Sequence, residues 1–164
     1  MSHSLPILTD PAPTLRLRSE EVALADVGVS TFQDFLDTLI RTMFVEDGIG
    51  IASPQVGKNI RVMVVNLKKE GPTVFINPIL TKTSQATTVF EEACLSVPGK
   101  YGMVRRHKRV TMQAYTRHGR QVTLEVSGLF AFVFQHEIDH LDGVLFVDKA
   151  LELFDTRSGK KLFP

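Results

Sequence analysis

The sequence predicts a single α+β domain in which helices flank an antiparallel-rich sheet. Three observations support this prediction. The chain has 164 residues, of which 43% are hydrophobic, enough for one buried core. Apolar residues recur at helical spacing near residue 35 and again near residue 135, and period-two alternation lies between them. Because no repeat or linker interrupts the chain, we expect one domain over residues 1–164.

The N-terminal part of the chain predicts an arm followed by a helix. Residues 1–18 are predicted to be extended, because proline disfavours helix for itself and for the residue before it. A helix is predicted from Ser30, with Gln33 completing a capping box, and it should end by Gly48. The apolar stripe of this helix comprises Phe32, Phe35, Leu36, Leu39 and Met43.

The middle of the chain predicts sheet. Ile60–Asn66 and Val74–Ile79 are rich in β-branched residues. Residues 110–114 and 122–126 alternate between apolar and polar types, and residues 117–120 include a glycine suited to a hairpin connection. These segments predict strands of an antiparallel sheet.

The C-terminal third predicts a second helix and a tail. Helical spacing returns after a Ser-Gly pair, and we predict a helix at about 128–141. Residues 150–164 are expected to form a short C-terminal tail. The apolar positions of this helix are Phe130, Phe134, Ile138 and Leu141.

Charge and cysteine content exclude several classes of protein. The 19 basic and 18 acidic residues give a net charge of +1, which argues against a DNA-coating or membrane-surface protein. The single cysteine, Cys94, excludes an intramolecular disulfide framework. The longest purely apolar run, Leu129–Phe134, is far shorter than the ~20 residues of a membrane span. We therefore expect a soluble, cytoplasmic protein with no DNA or membrane partner.

The motif His136-Glu137-Ile138-Asp139-His140 indicates a metal site. Residues four apart lie on one face of a helix, so both imidazoles can reach one cation, with Glu137 at the rim. The alternative is a pair of buried, hydrogen-bonded structural histidines.

The third metal ligand is expected upstream of this motif. Phe146 stands where the metzincin pattern has its third histidine, and Glu152 is the only glutamate after His140. Cys94 is the candidate, since a thiolate binds borderline cations well. A lone cysteine is also commonly a small buried apolar residue. The segment around Cys94, Glu91–Pro98, looks too short and polar for a core strand.

A glycine-rich segment, Gly48–Gly57, is the third part of the sequence with possible chemical function. Its Gln55 offers an uncharged donor suited to an oxygen that becomes negative during a reaction. The alternative interpretation is a glycine-rich turn without chemical function.

Together these three segments resemble the motifs of the peptide deformylase family. They read GIGIASPQ from Gly48, EACLS from Glu92 and QHEIDHL from Gln135, in the family's order. The resemblance implies antiparallel-rich sheets packed around a central helix that carries HExxH, plus an N-terminal helix. It also implies metal-dependent removal of the N-formyl group from the N-terminal methionine of newly made proteins, with release of formate.

The resemblance assigns roles to matching positions. One divalent ion, Fe(II) in the family and replaceable by zinc, nickel or cobalt, would bind Cys94, His136 and His140. Glu137 would act as general base and then general acid. Gln55 and the backbone N–H of Leu95 would stabilise the oxyanion. The residues that would contact the peptide or its methionine are Ile49, Gly50, Glu92, Ala93, Phe132 and Val133.

Two residues depart from the family motifs. Ala93 replaces a glycine and brings a methyl group beside the peptide path, and Ser53 replaces an alanine and brings a hydroxyl that needs a partner if buried. Two alternatives follow: a related metallohydrolase with another acyl or peptide substrate, and a non-catalytic metal-containing protein that binds nascent chains.

The implied partners are N-formyl-methionyl nascent peptides. The basic stretch 105–109 is compatible with a transient ribosome contact, although such a stretch is more often a solvated face, and Arg106 could instead pair with Glu92. The implied location is the cytoplasm of a bacterial-type cell, or an organelle if a targeting peptide precedes this sequence.

Overall fold

The structure, a computed structural model, describes residues 4–68 and 70–163. Three α-helices are α1 (Ser30–Val45), α2 (Leu129–Leu141) and α3 (Phe146–Lys149), and 3-10 turns span Pro13–Arg16, Leu24–Asp26 and Ser53–Val56. The strands are β1 (Gly50–Ala52), β2 (Val62–Asn66), β3 (Pro72–Thr83), β4 (Thr87–Ala93), β5 (Lys100–His107), β6 (Arg109–Tyr115), β7 (Gln121–Ser127), β8 (Ala150–Asp155) and β9 (Lys161–Phe163).

The strands form two antiparallel sheets. One sheet has the order β1-β2-β3-β6-β7, and the other has the order β4-β5-β8-β9. The predicted α+β class and its antiparallel character are therefore confirmed. The hairpin predicted around residues 117–120 joins β6 to β7, which pair from Arg109↔Ser127 to Tyr115↔Gln121.

Helix α2 contacts strands of both sheets. Its side chains Phe134 and Leu141 are fully buried in a core shared with the five-stranded sheet. The ring centroid of Phe134 lies 5.3 Å from that of Phe75 on β3, in an edge-to-face arrangement. The packing of these apolar side chains thus sets the rotation of α2 about its axis and the direction in which its polar side chains point.

Helix α1 packs on another part of the same sheet. Leu36, Leu39 and Met43 of the predicted stripe are fully buried. The predicted capping box is wrong: Val29 is the N-cap and makes no side-chain cap. The Gln33 side chain instead donates from Nε2 to the carbonyl oxygens of Val27 and Arg117, because the β6–β7 turn lies against this end of the helix.

The four-stranded sheet is the main feature that the sequence interpretation missed. The C-terminal residues after α3 form two strands of this sheet, β8 and β9. The expectation of a short tail over residues 150–164 is therefore wrong for the described residues. Glu91 and Glu92 belong to β4, an edge strand in which Glu91 is exposed and Glu92 is buried, so no run of apolar side chains marks it. Pro164 lies outside the described residues.

The N-terminal arm is only partly as expected. Residues 4–12 contain no helix or strand, but Pro13–Arg16 form a 3-10 turn. Pro13 stands at the first helical position, where its missing N–H and fixed φ are tolerated. Residues 1–3 lie outside the described residues. Among the described residues, no helix is long and apolar enough to cross a membrane.

Candidate metal centre and active site

The sulfur of Cys94 and the two motif histidines converge. Their ligand atoms lie within 4.8 Å of one another, and Cys94 Sγ is 3.1 Å from His140 Nε2. Cys94 directly follows β4, whereas His136 and His140 lie one turn apart on α2, with ring centroids 4.9 Å apart. One thiolate and two imidazoles suit a borderline cation such as Fe(II) or Zn(II) better than a hard one such as Mg(II). The donor set therefore fits a divalent transition metal.

A buried ion network orients His136. Glu92 Oε2 lies 2.8 Å from His136 Nδ1, and the Arg106 guanidinium donates to both oxygens of Glu92 at 2.6 and 2.9 Å. Arg106 also donates to Asp139 Oδ2 at 2.6 Å. With Nδ1 bonded to the carboxylate, the Nε2 lone pair of His136 is available to a metal ion. The pairing of Arg106 with Glu92 is thus confirmed, and Arg106 does not belong to an exposed basic face.

The network also sets the charges around the cluster. Burial raises the pKa of Glu92, but hydrogen bonds from Arg106 and His136 outweigh burial and lower it to about 2. Burial lowers the pKa of His136, yet hydrogen bonds to Cys94 and Glu92 raise it well above its ordinary value. The pKa of His140 is lowered by burial and by the nearby charges of His136 and Arg106. The lowered pKa favours the neutral form of His140, which keeps a ring-nitrogen lone pair for a metal ion.

Glu137 is a buried carboxyl group beside the cluster. The residue is only 4% exposed, and its Oε2 has no hydrogen-bond partner among the described residues. Burial is the main cause that raises the pKa of Glu137 to about 7. The carboxyl group lies against the backbone of β1, where a Cβ on Gly50 would be 2.5 Å from Glu137 Oε1. Its protonation can therefore change near neutral pH, as a general base requires.

The side-chain amide of Gln55 is held in one orientation. Gln55 lies in the 3-10 turn after β1, and its Oε1 accepts a hydrogen bond from the Ala52 N–H at 2.9 Å. Its Nε2 donates to Ser96 Oγ at 3.2 Å and lies 3.6 Å from Cys94 Sγ. Since the oxygen is occupied by a backbone donor, the NH₂ group faces the Cys94 side.

A cleft of about 650 Å³ connects these groups. It contains every site residue predicted from the sequence except His140, which lies behind the others in contact with Cys94. The cleft has an apolar end, where the rings of Phe90 and Phe132 lie 4.7 Å apart beside Val133. The lining residues that the sequence interpretation did not select include Phe90, Leu129, Lys100 and Thr156.

These additional residues left only weak signals in the sequence. Phe90 lies two residues before Glu92, so strand periodicity places both side chains on one face of β4 once the strand is recognised. Thr156 reaches the cleft through the turn after β8, and its N–H bonds the Gly99 carbonyl at 3.0 Å. That contact depends on the unpredicted sheet.

The two departures from the family motifs fit locally. Ala93 does not have a left-handed φ, so the side chain causes no backbone strain, and it is exposed at the cleft edge. Ser53 is fully buried, and its hydroxyl donates to the Ile60 carbonyl at 2.5 Å, which supplies the partner it needs.

Comparison with known proteins gives one consistent result. The family described as polypeptide deformylase matches residues 4–154. The chain is 44% identical over 146 residues to the peptide deformylase of Xylella fastidiosa strain M12, covering 88% of this chain and 85% of that protein. It is 42% identical over 160 residues to peptide deformylase 2 of Xanthomonas campestris pv. campestris, covering 96% and 94%.

Solved structures agree with the sequence comparison. The peptide deformylase of Thermotoga maritima superposes with a TM-score of 0.85 at 36% identity, covering 90% of this chain and 98% of that one. A Met-Ala-Ser-bound class I type b peptide deformylase from Acinetobacter baumannii gives a TM-score of 0.85 at 32% identity, covering 91% and 99%. The chain therefore belongs to the peptide deformylase family, the metal-dependent hydrolases that remove N-formyl groups from newly made proteins.

Proposed function

We propose that this chain binds Fe(II) through Cys94, His136 and His140 and uses Glu137 to hydrolyse the formyl group of N-formyl-methionyl peptides. One observation carries the proposal: a sulfur and two imidazoles converge beside a buried carboxyl oxygen with no partner among the described residues. When bound, the divalent ion acts as a Lewis acid that makes water nucleophilic near neutral pH. The family resemblance favours iron, and the donor set also suits zinc, nickel and cobalt.

Glu137 carries the proton transfers in this proposal. Its carboxylate takes a proton from the water whose oxygen adds to the formyl carbon, and it later gives that proton to the departing amine. The carbon–nitrogen bond breaks, and formate and a free methionyl N-terminus are the products. A pKa of about 7 supports both directions of transfer, because neither protonation state is strongly favoured at neutral pH.

Two donors stabilise the negative oxygen that forms during this step. The NH₂ group of Gln55 faces the metal ligands, and the backbone of Leu95 follows Cys94 directly at the edge of the cleft. Loss of one such donor typically lowers kcat by about 10²–10³. We assign both groups to the formyl oxygen.

The remaining cleft residues bind the peptide. The apolar end formed by Phe132 and Val133 accepts the methionine side chain, and the exposed edges at Ile49–Gly50 and Glu92–Ala93 offer backbone groups to the peptide chain. The side chain of Glu92 takes no direct part, because it is bonded to Arg106 and His136.

The substrate class implies a place in the cell. The proposed substrates are formylated chains emerging from bacterial-type ribosomes, and the curated relatives above are bacterial. We propose a cytoplasmic enzyme with transient ribosome contact, for which the exposed Arg105, Lys108 and Arg109 provide a basic surface.

The test is formate release by the anaerobically purified protein. The metal content is measured first, and formyl-Met-Ala-Ser is then supplied, with acetyl-Met-Ala-Ser as the substrate control. We expect bound iron, rapid release of formate and little release of acetate. Glu137→Gln, which preserves shape but cannot take the proton, should lower kcat by at least about 10². Equal rates for Glu137→Gln and the unsubstituted protein would reject the assigned base.

A further inference from the structure

The N-terminal arm bridges the two loops that carry the proposed catalytic groups. The Leu8 N–H donates to the carbonyl oxygen of Gln55 at 2.7 Å, and the Asp10 N–H donates to the carbonyl oxygen of Ser96 at 2.8 Å. Alternate residues of an extended chain present their N–H groups on the same edge. One edge of the arm therefore holds the loop after β1 and the loop after β4 at a fixed separation.

That separation matters to the Gln55 side chain. Its Nε2 donates to Ser96 Oγ at 3.2 Å, and Ser96 is fully buried. The arm thus donates hydrogen bonds to the backbone carbonyls of Gln55 and Ser96, and the side chains of these two residues are hydrogen-bonded to each other. If the two loops move apart, Ser96 Oγ can no longer hold the Gln55 amide.

The arm is itself anchored at both ends. The Leu5 N–H donates to Thr42 Oγ1 on α1 at 2.9 Å, and the Ser19 N–H donates to the Leu141 carbonyl at the end of α2 at 2.8 Å. Between them Leu15 is fully buried. At the last residue of the 3-10 turn, the Arg16 carbonyl oxygen would lie 2.6 Å from a Cβ on Gly143, so the chain approaches this glycine closely. These contacts make the arm a fixed brace.

We infer that Leu8 and Asp10 are positioning residues, and that their backbone N–H groups orient the Gln55 amide toward the formyl oxygen. This inference rests on the proposed role of Gln55 in the reaction. No described residue of the arm lines the cleft, so the arm acts through the two loops. Its contribution is therefore to the transition state, through Gln55, and it should change kcat much more than KM.

The test compares Leu8→Pro with Leu8→Ala in the full-length, metal-loaded protein. Both substitutions shorten the side chain, but only proline removes the N–H that donates to Gln55. We expect Leu8→Pro to lower kcat by about tenfold or more relative to Leu8→Ala, with KM changed by less than about twofold. Equal kcat values for the two variants would overturn the inference.

A second background separates positioning from general weakening of the fold. In a Gln55→Ala protein, the proline substitution should have no further effect on kcat, because the group it acts through is absent. A loss of the same size in both backgrounds would show that the arm acts elsewhere. If Leu8→Pro does not fold, as judged by circular dichroism, Asp10→Pro, which removes the N–H that donates to Ser96, is compared with Asp10→Ala in the same two backgrounds.

A spectroscopic measurement makes the inference independent of turnover. The side-chain NH₂ signals of Gln55 are assigned in a ¹⁵N–¹H spectrum of zinc-loaded protein by their absence in Gln55→Ala. We expect these signals to shift or broaden in Leu8→Pro and to stay in place in Leu8→Ala. Unmoved signals in both variants refute the positioning role, whereas absence of formate release by the unsubstituted protein refutes only the proposed function.

Discussion

Gly50 and Glu137 are in such close contact that one methyl group on Gly50 should disable the carboxyl group. An alanine Cβ at position 50 would lie 2.5 Å from Glu137 Oε1, 2.9 Å from its Cδ and 3.0 Å from its Cγ. A Cβ atom essentially never lies under 3.0 Å from a non-bonded atom, and ordinary contacts begin at 3.4 Å. The carboxyl group must therefore move by close to 1 Å in Gly50→Ala.

A displacement of this size predicts a large loss of activity. Misplacing a reacting group by 1 Å can lower the rate by about 10². We therefore expect kcat of Gly50→Ala for formyl-Met-Ala-Ser to fall about 100-fold, measured as formate release under anaerobic conditions with iron content matched to the unsubstituted protein. Burial is the main cause of the raised pKa of Glu137, so a shifted carboxyl group should also change the pH profile of kcat.

Matched controls distinguish this effect from other consequences of the methyl group. Gly28→Ala adds the same methyl where no atom lies within 4 Å, and it should leave kcat within about twofold. A methyl that merely obstructs the peptide would raise KM and leave kcat unchanged. Retention of kcat within about threefold in Gly50→Ala would refute the proposed contact between this backbone and the base.

Three further predictions concern the ion network behind His136. Glu92→Gln weakens the acceptor at His136 Nδ1 and should lower zinc affinity about 10–100-fold in a chelator competition. Arg106→Met leaves Glu92 and Asp139 without their buried cation and should lower the free energy of unfolding by about 3–5 kcal/mol in urea. The third concerns pH. The pKa of Glu92 falls from 4.5 to about 2 on folding, so its ionised carboxylate adds about 3 kcal/mol to the free energy of unfolding. This contribution is complete above pH 4.5 and is lost as the pH falls toward 2. Urea unfolding of the metal-free protein should show this loss, and a Glu92→Gln protein with the same acid dependence would contradict it.

The sequence predicted the parts of the molecule that follow short-range patterns. Both long helices and four strands of the five-stranded sheet, β2, β3, β6 and β7, follow sequence patterns, and α2 begins and ends within one residue of its predicted bounds. Strand β1 was not predicted, because it has only three residues and lies in the glycine-rich segment. The convergence of Cys94 with the two histidines was reached through the family motifs, because spacing alone left the structural alternatives open.

The four-stranded sheet could not be predicted because its strands carry atypical side chains. In strand β5 the charged Arg106 points inward, where Glu92 and Asp139 neutralise it. Because a charged residue occupies a buried position, the sequence of β5 does not show the usual alternation of apolar and polar residues. Strand β9 has only three residues, all of them exposed, so no alternation of buried and exposed positions marks it. Helix α1 shows the opposite problem: Ser30 and Gln33 match a capping box, but a bond to the distant Arg117 carbonyl competes for the glutamine.

The ligand cluster joins parts of the chain that are far apart in sequence. Cys94 directly follows β4, the edge strand of the four-stranded sheet. His140 lies 46 residues later on α2, the helix that packs on the five-stranded sheet. An ion held by both binds the folded chain and not the unfolded one, so its binding free energy stabilises the contact between these two parts. Its removal should make the seam between the sheets the first place to open, so that amide hydrogens of β4 and of the last turn of α2 exchange with solvent before those of β2 and β3.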